Sequence, residues 1–471
     1  MDLVQSARQL GVISIVASIT RGIISHMKTN WFLAAAAVLW GVAATALGQS
    51  ANLHRFSAID LKPDHTISLT LTSSVPSTLR NYYDLFPIEA SPDLVDWEPL
   101  VSLMRTNRST NATLFLDLAA ANHALRFYRT PTNQLTTAHP PPDGPYRVGV
   151  FSRLLTDPSR TNRYVKTNSS FMVSVWYPAE PVAGVLPAFH SDPMLGTIGG
   201  CTARSPAGFR THSLPDVPLC PAELKYPVVI YSHGDQTTRT DNTRRVENLA
   251  SFGFVVVSID HWNCAATVFP DGRRLSGLEI PNVGVGDPLT KQVATNRAQD
   301  VHFVLGEIAH WNSDDPMLRA RLDLERIGIF GMSFGGGTTT HACQEEPMIK
   351  AGVSLDGGYE RFPIPTLNPP FLILSGGDNY EFMQQFRDAF RSLYDRLAQH
   401  AYWVHLKDST HCDFNDTPWF DWPTLTVHTR RALVQDLYVV SFFRKYLRGE
   451  DDHFLDGSPP AWPEVDAFLK K

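Results

Sequence analysis

The stretch Arg326-Ile327-Gly328-Ile329-Phe330-Gly331-Met332-Ser333-Phe334-Gly335-Gly336-Gly337 constrains this chain more than any other. It opens as a short apolar run with β character. It then turns through Gly331-Met332-Ser333-Phe334-Gly335 and continues into Thr338-Thr339-Thr340-His341-Ala342, which reads as a helix. A G-x-S-x-G turn between a strand and a helix sets its serine on a sharp bend. Side chains at Gly331 or Gly335 would collide with neighbouring backbone. The helix that follows aims its first N–H groups and the positive end of its dipole at Ser333, where they can hold a developing negative charge. The bare motif also occurs in ordinary loops. Here the strand before it and the helix after it supply the context that the chemistry needs.

Around this turn the chain alternates. Apolar runs at 146–151, 171–177, 226–231, 254–259, 326–330, 350–355, 370–374 and 401–406 read as strands. Helical patterns fall between them at 240–252, 290–311, 381–399 and 429–448, the last with Leu433, Leu437 and Val440 at helical spacing. The central runs are apolar at nearly every position, as strands covered on both faces must be. Such alternation requires a mostly parallel sheet with right-handed crossovers. With a serine turn in its middle, the expected class is α/β with the α/β-hydrolase fold: a mostly parallel central sheet and helices on both faces. Residues 184–222 interrupt the alternation, are rich in Pro, Gly and Ser, and read as a lid or rim over the site.

A chain of 471 residues exceeds one ordinary domain. Residues 1–48 read as a signal peptide. Met27-Lys28 precedes an apolar run from Trp31 to Leu47, and Ala46-Leu47-Gly48 has the small residues of a cleavage site. Met27 is then the expected start. The expected destination is secretion or the periplasm; the alternative is an N-terminal membrane anchor, since the run can span a bilayer. Residues 49–133 read as a small all-β, sandwich-like module. His65-Thr66-Ile67-Ser68-Leu69-Thr70-Leu71-Thr72 alternates with period two, and 83–91, 113–117 and 125–129 follow as strands between turn residues. The module has no catalytic pattern and reads as a binder of a lipid or polymer surface, or as a spacer. Pro140-Pro141-Pro142 stiffens residues 134–145 into a linker, and 146–471 is the catalytic domain. A net charge of −6 leaves no nucleic-acid footprint. Of the five cysteines, Cys201 and Cys220 share the loop-rich insertion and form the expected disulfide. Cys264 and Cys343 read as buried thiols, and with Cys412 they lack metal-ligand spacing.

A serine hydroxyl is a poor nucleophile at neutral pH. It needs a base, usually histidine, oriented by a carboxylate. In this fold the chain order is serine, acid, histidine. His411, in Ser409-Thr410-His411-Cys412-Asp413-Phe414 just after the last strong strand, is the expected base. His341 lies on the helix after the serine, and His400 and His405 flank or lie in a strand. Asp356 and Asp378 both end strands, and either fits the acid. One oxyanion donor is the N–H of Phe334. The second comes from Tyr231-Ser232-His233-Gly234-Asp235-Gln236, where Gly234 lets the backbone turn and Asp235 offers its N–H, with its carboxylate turned away. His233 reads as structural. Trp419, Phe420 and Trp422 read as acyl-pocket lining, as a lipid contact or as ordinary core and rim aromatics. No HExxH or cysteine ligand set is present, so neither metal nor cofactor is expected.

Gly144-Pro145-Tyr146-Arg147-Val148-Gly149, Ser232-His233-Gly234, Gly331-Met332-Ser333-Phe334-Gly335-Gly336, Ser354-Leu355-Asp356 and Ser409-Thr410-His411-Cys412-Asp413-Phe414 occur in this order. Together they resemble the secreted platelet-activating factor acetylhydrolases, also called lipoprotein-associated phospholipase A2, over residues 144–448. More weakly, the chain resembles bacterial dienelactone hydrolases and cutinase-like polyester hydrolases. The first resemblance implies a triad of Ser333, Asp356 and His411, with Asp356 rather than Asp378 as acid and with Asp235 and Phe334 at the oxyanion hole. It implies cleavage of short acyl esters, sn-2 acyl groups of phospholipids among them, through an acyl-enzyme. The expected partner is a small ester or a phospholipid. The alternative is a carboxylesterase, a dienelactone-hydrolase-like enzyme or a cutinase-like polyester hydrolase. Two positions depart from the family: Met332 stands where it has a histidine, and Asp235 where it has an apolar residue.

Overall fold

The computed structural model describes residues 16–19, 54–63, 66–73, 84–94, 98–105, 112–117, 120, 123, 125–129, 139–161, 168–182, 185, 187–188, 190, 210–262, 264–276, 288–357, 366–376, 383–398, 400–421, 427–456 and 462–471. The chain divides into two compact units, Met1–Pro141 with Trp422–Thr426 and Pro142–Asp421 with Val427–Lys471.

The second unit carries a 10-stranded sheet. Its strands are β1 (Arg147–Thr161), β2 (Asn168–Ala179), β3 (Leu214–Pro215), β4 (Tyr226–Ser232), β5 (Val255–Ile259), β6 (Leu322–Met332), β7 (Ile349–Leu355), β8 (Phe371–Ser375), β9 (Ala401–Leu406) and β10 (Val465–Lys470). The principal helices are α1 (Thr243–Ser251), α2 (Pro288–Asp314), α3 (Phe334–Glu345), α4 (Met383–Arg396) and α5 (Val427–Phe443). Spatial order is β3-β1-β2-β5-β4-β6-β7-β8-β9-β10. From β5 to β9 all neighbours are parallel, and β2 and β10 flank that run antiparallel.

Period two explains why the central strands are apolar throughout: successive side chains enter two different covered faces. Val228 and Ile230 of β4 pack with Ile327 and Ile329 of β6 and with Val301, Leu305 and Ile308 of α2. Val229 and Tyr231 pack on the other face with Phe330, with Val246 and Leu249 of α1, and with Tyr438 and Phe442 of α5. Helices therefore cover both faces, as the α/β-hydrolase reading requires. Chain order reverses at β4. Through α1 the chain reaches β5 on one side, and α2 carries it back past β4 to β6 on the other. The carboxyl ends of β4 and β6 thus flank a switch point, where open α/β sheets leave a crevice for ligands. Register sets Ser232 beside Gly331 and Gly331 beside Ser354, so the residues after these strands emerge together.

Some elements differ from the sequence reading. β10 is a half-exposed edge strand carrying Asp466 and Lys470, and an edge needs no continuous apolar run. α5 ends at Phe443 and widens into a π-type turn, Arg444–Arg448, closed by Gly449 at φ 70°. The described part of the 184–222 insertion runs along the sheet edge. There β3 pairs with β1, Glu180 N–H donates to Pro218 O (3.0 Å) and Tyr177 OH to Val217 O (2.6 Å). Residues 191–209, the rest of the expected lid, lie outside the described residues. Cys220 is a free thiol, so the expected pair with Cys201 does not form; Cys412 is the disulfide-bonded cysteine. The backbone of Cys220 is held at the sheet edge, its N–H donating to Pro178 O (2.9 Å) and its carbonyl accepting from Tyr226 OH (2.8 Å). Cys201 lies outside the described residues. Cys264 and Cys343 are buried free thiols, as expected.

The first unit holds two antiparallel sheets. One is three-stranded (His54–Leu61, Ile67–Ser73, Ala112–Asp117) and the other four-stranded (Val16–Ile19, Leu125–Arg129, Asp84–Ser91, Glu98–Arg105). Leu69, Leu71 and Phe115 of the first share one core with Ile88, Val101 and Tyr128 of the second. That is sandwich-like packing. Val16–Ile19, within the stretch read as a signal peptide, pairs antiparallel with Leu125–Arg129. Among the described residues no helix is long and apolar enough to cross a membrane.

Candidate active site

β6 ends at Met332 and α3 begins at Phe334, which leaves Ser333 to make the turn alone. Its φ is 55° and its ψ −119°, a conformation that residues with side chains avoid. The strained residue is held from both sides. Ser333 N–H donates to Leu355 O (2.9 Å), and Ser333 O accepts from Gly336 N–H (2.9 Å). A Cβ on Gly331 would strike Gly335 O, and one on Gly335 would strike Ser232 O, so only glycine lets β4, β6 and α3 meet this closely. Ser333 is half-buried while Phe334, Gly335 and Gly336 are buried. Among the described residues no hydrogen bond reaches Ser333 Oγ; without substrate such bonds are often long and tighten on binding.

Asp356 follows β7 at φ 48°, which Asp tolerates better than most residues. Its Oδ2 meets His411 Nδ1 at 2.6 Å, and its Oδ1 accepts from Gly376 N–H (3.1 Å). The carboxylate on His411 is therefore that of Asp356, and Asp378 lies outside the described residues. His411 opens a short 3-10 turn, His411–Phe414, capped by Thr410, whose N–H donates to Asp413 Oδ2 (3.0 Å). Two helices hold this turn from behind. Gln435 Nε2 of α5 donates to Asp413 O (3.0 Å), and Arg245 of α1 donates to Phe414 O (3.2 Å) and to Gln435 Oε1 (3.0 Å). Gly376 lets the two loops touch, since a Cβ there would stand 2.5 Å from Ser409 Cβ. With Nδ1 on Asp356, Nε2 is the ring nitrogen left to accept a proton. His341 lies on α3, and His405 bonds Asp466 Oδ1 at 2.6 Å. Trp419 is buried; the Phe420 side chain and Trp422 lie outside the described residues.

The loop after β4 lies against the serine. A Cβ on Gly234 would stand 3.1 Å from Met332 Sδ and 3.6 Å from Ser333 Cβ. Asp235 comes next and is half-buried. Burial pushes the neighbouring Cys264 thiol up to about 11; Arg297 opposes this, while the Asp300 and Asp235 carboxylates add to it. His233 is fully buried and neutral, because burial holds its pKa well below the usual imidazole range. Its Nε2 accepts from His261 N–H (3.1 Å), which leaves Nδ1–H to donate to Gly234 O (2.6 Å).

Behind this loop lies a relay that the sequence reading missed. Ser232 Oγ–H donates to His261 Nε2 (2.8 Å), and His261 Nδ1–H to Asp300 Oδ2 (3.0 Å). The order is that of a nucleophilic triad, but all three residues are buried beyond substrate reach. It locks the end of β4, and Arg160 Nη2 closes it on Asp300 Oδ1 (2.7 Å). The signal available in sequence was weak: a histidine just after β5 and an aspartate inside a long helix.

The chain is similar to several known esterases. The chain matches the family described as platelet-activating factor acetylhydrolase, isoform II, over residues 135–272. The platelet-activating factor acetylhydrolase of Canis lupus familiaris is 27% identical over 224 residues, 41% of this chain and 48% of that protein. This chain thus spans about half the length of that relative. Cutinase 1 of Thermobifida cellulosilytica is 25% identical over 147 residues, 30% of this chain and 45% of that protein. The solved ferulic acid esterase of Streptomyces cinnamoneus superposes with a TM-score of 0.59 at 27% identity, covering 70% of this chain and 98% of that one. The layered, mostly parallel sheet agrees with these likenesses: the chain has the α/β-hydrolase fold and is similar to the platelet-activating factor acetylhydrolases over part of its length.

Proposed function

We propose that the chain is a serine ester hydrolase of the acetylhydrolase type, cleaving short acyl esters, with sn-2 acetyl phospholipids as the first substrate class. The observation that carries the reading is the 2.6 Å contact between His411 Nδ1 and Asp356 Oδ2, beside a serine strained to φ 55° at the start of α3. In the proposed reaction His411 Nε2 takes the Ser333 proton as Oγ attacks the ester carbonyl. Asp356 holds the ring in the required tautomer and stabilises the imidazolium. The N–H groups of Phe334 and Asp235 receive the oxyanion, aided by the positive end of α3. The imidazolium protonates the leaving alcohol. Water then enters and attacks the acyl carbon while giving a proton to Nε2; the bond to Ser333 Oγ breaks, Oγ takes that proton back from Nε2, and the acid leaves.

Acetate release from a short sn-2-acetyl phospholipid tests this, with Ser333→Ala run in parallel. Loss of Ser333 is expected to lower kcat by on the order of 10,000-fold or more. Activity that survives the substitution would remove the nucleophile assignment. A second reading, a carboxylesterase or polyester hydrolase, is favoured by the likeness to the ferulic acid esterase. Ser333-dependent turnover of simple or aromatic esters with none of the lipid would select it. We also propose export, from the apolar run between Trp31 and Leu47. Cell fractionation of the full chain tests that, and a chain found only in the cytoplasm would refute it.

A further inference from the structure

Arg297, on α2, is fully buried and belongs to no step of the proposed reaction. Its guanidinium forks onto consecutive carbonyls of the loop after β4: Nη1 donates to His233 O (2.6 Å) and Nη2 to Gly234 O (3.0 Å). Its Cζ lies over the Phe334 ring, 4.6 Å from the centroid. One buried cation thus grips the backbone before Asp235 and the side chain of Phe334, the two residues whose N–H groups would hold the oxyanion.

We infer that Arg297 is the positioning residue of the oxyanion hole; the inference rests on the reading of Ser333 as nucleophile. Across a planar trans peptide the carbonyl and the N–H point in opposite directions. Drawing Gly234 O toward α2 therefore turns Asp235 N–H away from α2 and toward the serine side of the loop. Gly234 O is held further by His233 Nδ1–H (2.6 Å) and Thr237 Oγ1–H (3.3 Å), so the peptide plane has little freedom to rotate. A cationic donor on that carbonyl also polarises the amide and makes its N–H a stronger donor. Stacking on Phe334 keeps the start of α3 in register with the same cation. A hole aimed before substrate arrives loses nothing to reorganisation during the reaction. It also accounts for a cation at a place where an apolar side chain would pack without needing partners.

The test uses the full chain with Arg297→Met and Arg297→Lys, an ester substrate and its thionoester counterpart. Sulfur is a larger and weaker acceptor, so an aimed oxyanion hole favours the ester. Arg297→Met is expected to lower kcat for the ester about 10- to 100-fold, with KM within about twofold, and to shrink the ester-to-thionoester preference by a similar factor. Arg297→Lys, which keeps one donor and the charge, is expected to recover part of both. An equal loss on both substrates, with the preference unchanged, is what a merely structural cation would give, and it overturns the inference. If Arg297→Met does not fold, Arg297→Lys is read by the same ratio against wild type. Ser333→Ala separates the two layers: if it keeps full activity, the nucleophile reading fails and the inference falls with it. If it is inactive and the ratio still does not move in the Arg297 variants, only the inference fails.

Discussion

Replacing Asp356 by asparagine tests the proposed acid with almost no change of volume. Two contacts determine how the amide must sit. Gly376 N–H points at one carboxylate oxygen (3.1 Å) and needs an acceptor, so the amide oxygen belongs there. The NH2 group then faces His411 Nδ1, where Oδ2 stands at 2.6 Å in the wild type. A donor facing Nδ1 makes that nitrogen the acceptor and leaves the proton on Nε2. In that tautomer the ring cannot take the serine proton. Loss of the correct tautomer in a Ser-His-Asp system costs about 10,000-fold in kcat, which is about 5.5 kcal/mol in the barrier. KM is expected to change little, because Asp356 is not in the proposed substrate contact. The assay is steady-state hydrolysis of a chromogenic acetyl ester near pH 8, with circular dichroism as a check on folding. Asp378→Asn is the matched control and is expected within about twofold of wild type. If Asp356→Asn keeps more than about a tenth of kcat while Asp378→Asn loses it, the tautomer argument is wrong.

The remaining predictions follow from packing and titration. In Gly335→Ala the new Cβ would strike Ser232 O; the variant is expected to lose about 3 kcal/mol or more of stability in urea unfolding, and its activity with it. An unchanged midpoint would mean that the turn can relax around a methyl group. Glu247 of α1 is buried while accepting from His212 N–H (2.8 Å) and from Ser213 Oγ–H, and burial raises its pKa from 4.5 to about 7. A raised carboxyl favours the folded state fully below pH 4.5, and that contribution is lost as pH rises through about 7. Stability of the wild type relative to Glu247→Gln is therefore expected to fall by about 3 kcal/mol between pH 4.5 and 8. Parallel unfolding midpoints across that range would refute the assignment.

Strand and helix alternation was legible because parallel strands covered on both faces must be apolar at every position. The period change around Ser333 marked the elbow for the same reason. The elements that escaped include the edge strand β10, the short β3 and the strands at Val16–Ile19, His54–Leu61 and Glu98–Arg105. Within the site, Ser333 and His411 could be named from the motif and from the loop after the last apolar run. Asp356 and Asp378 could not be separated by spacing, because each follows a strand. The bond from His411 Nδ1 to Asp356 is a matter of how the loops after β7 and β9, strands with β8 between them, meet, and spacing carries no such information. The disulfide shows the same limit. Shared membership of one insertion suggested Cys201 with Cys220, yet Cys220 is free and Cys412 is bonded. Local chemistry and periodicity, which act between residues near in the chain, settle the class of fold and the turn at Ser333. Long-range packing, which joins residues 29 to 64 positions apart, produces the Ser232–His261–Asp300 relay and the Arg297 grip on His233 O and Gly234 O. Burial selects those partners, because a buried charge or hydroxyl must find whatever donor or acceptor the fold brings to it.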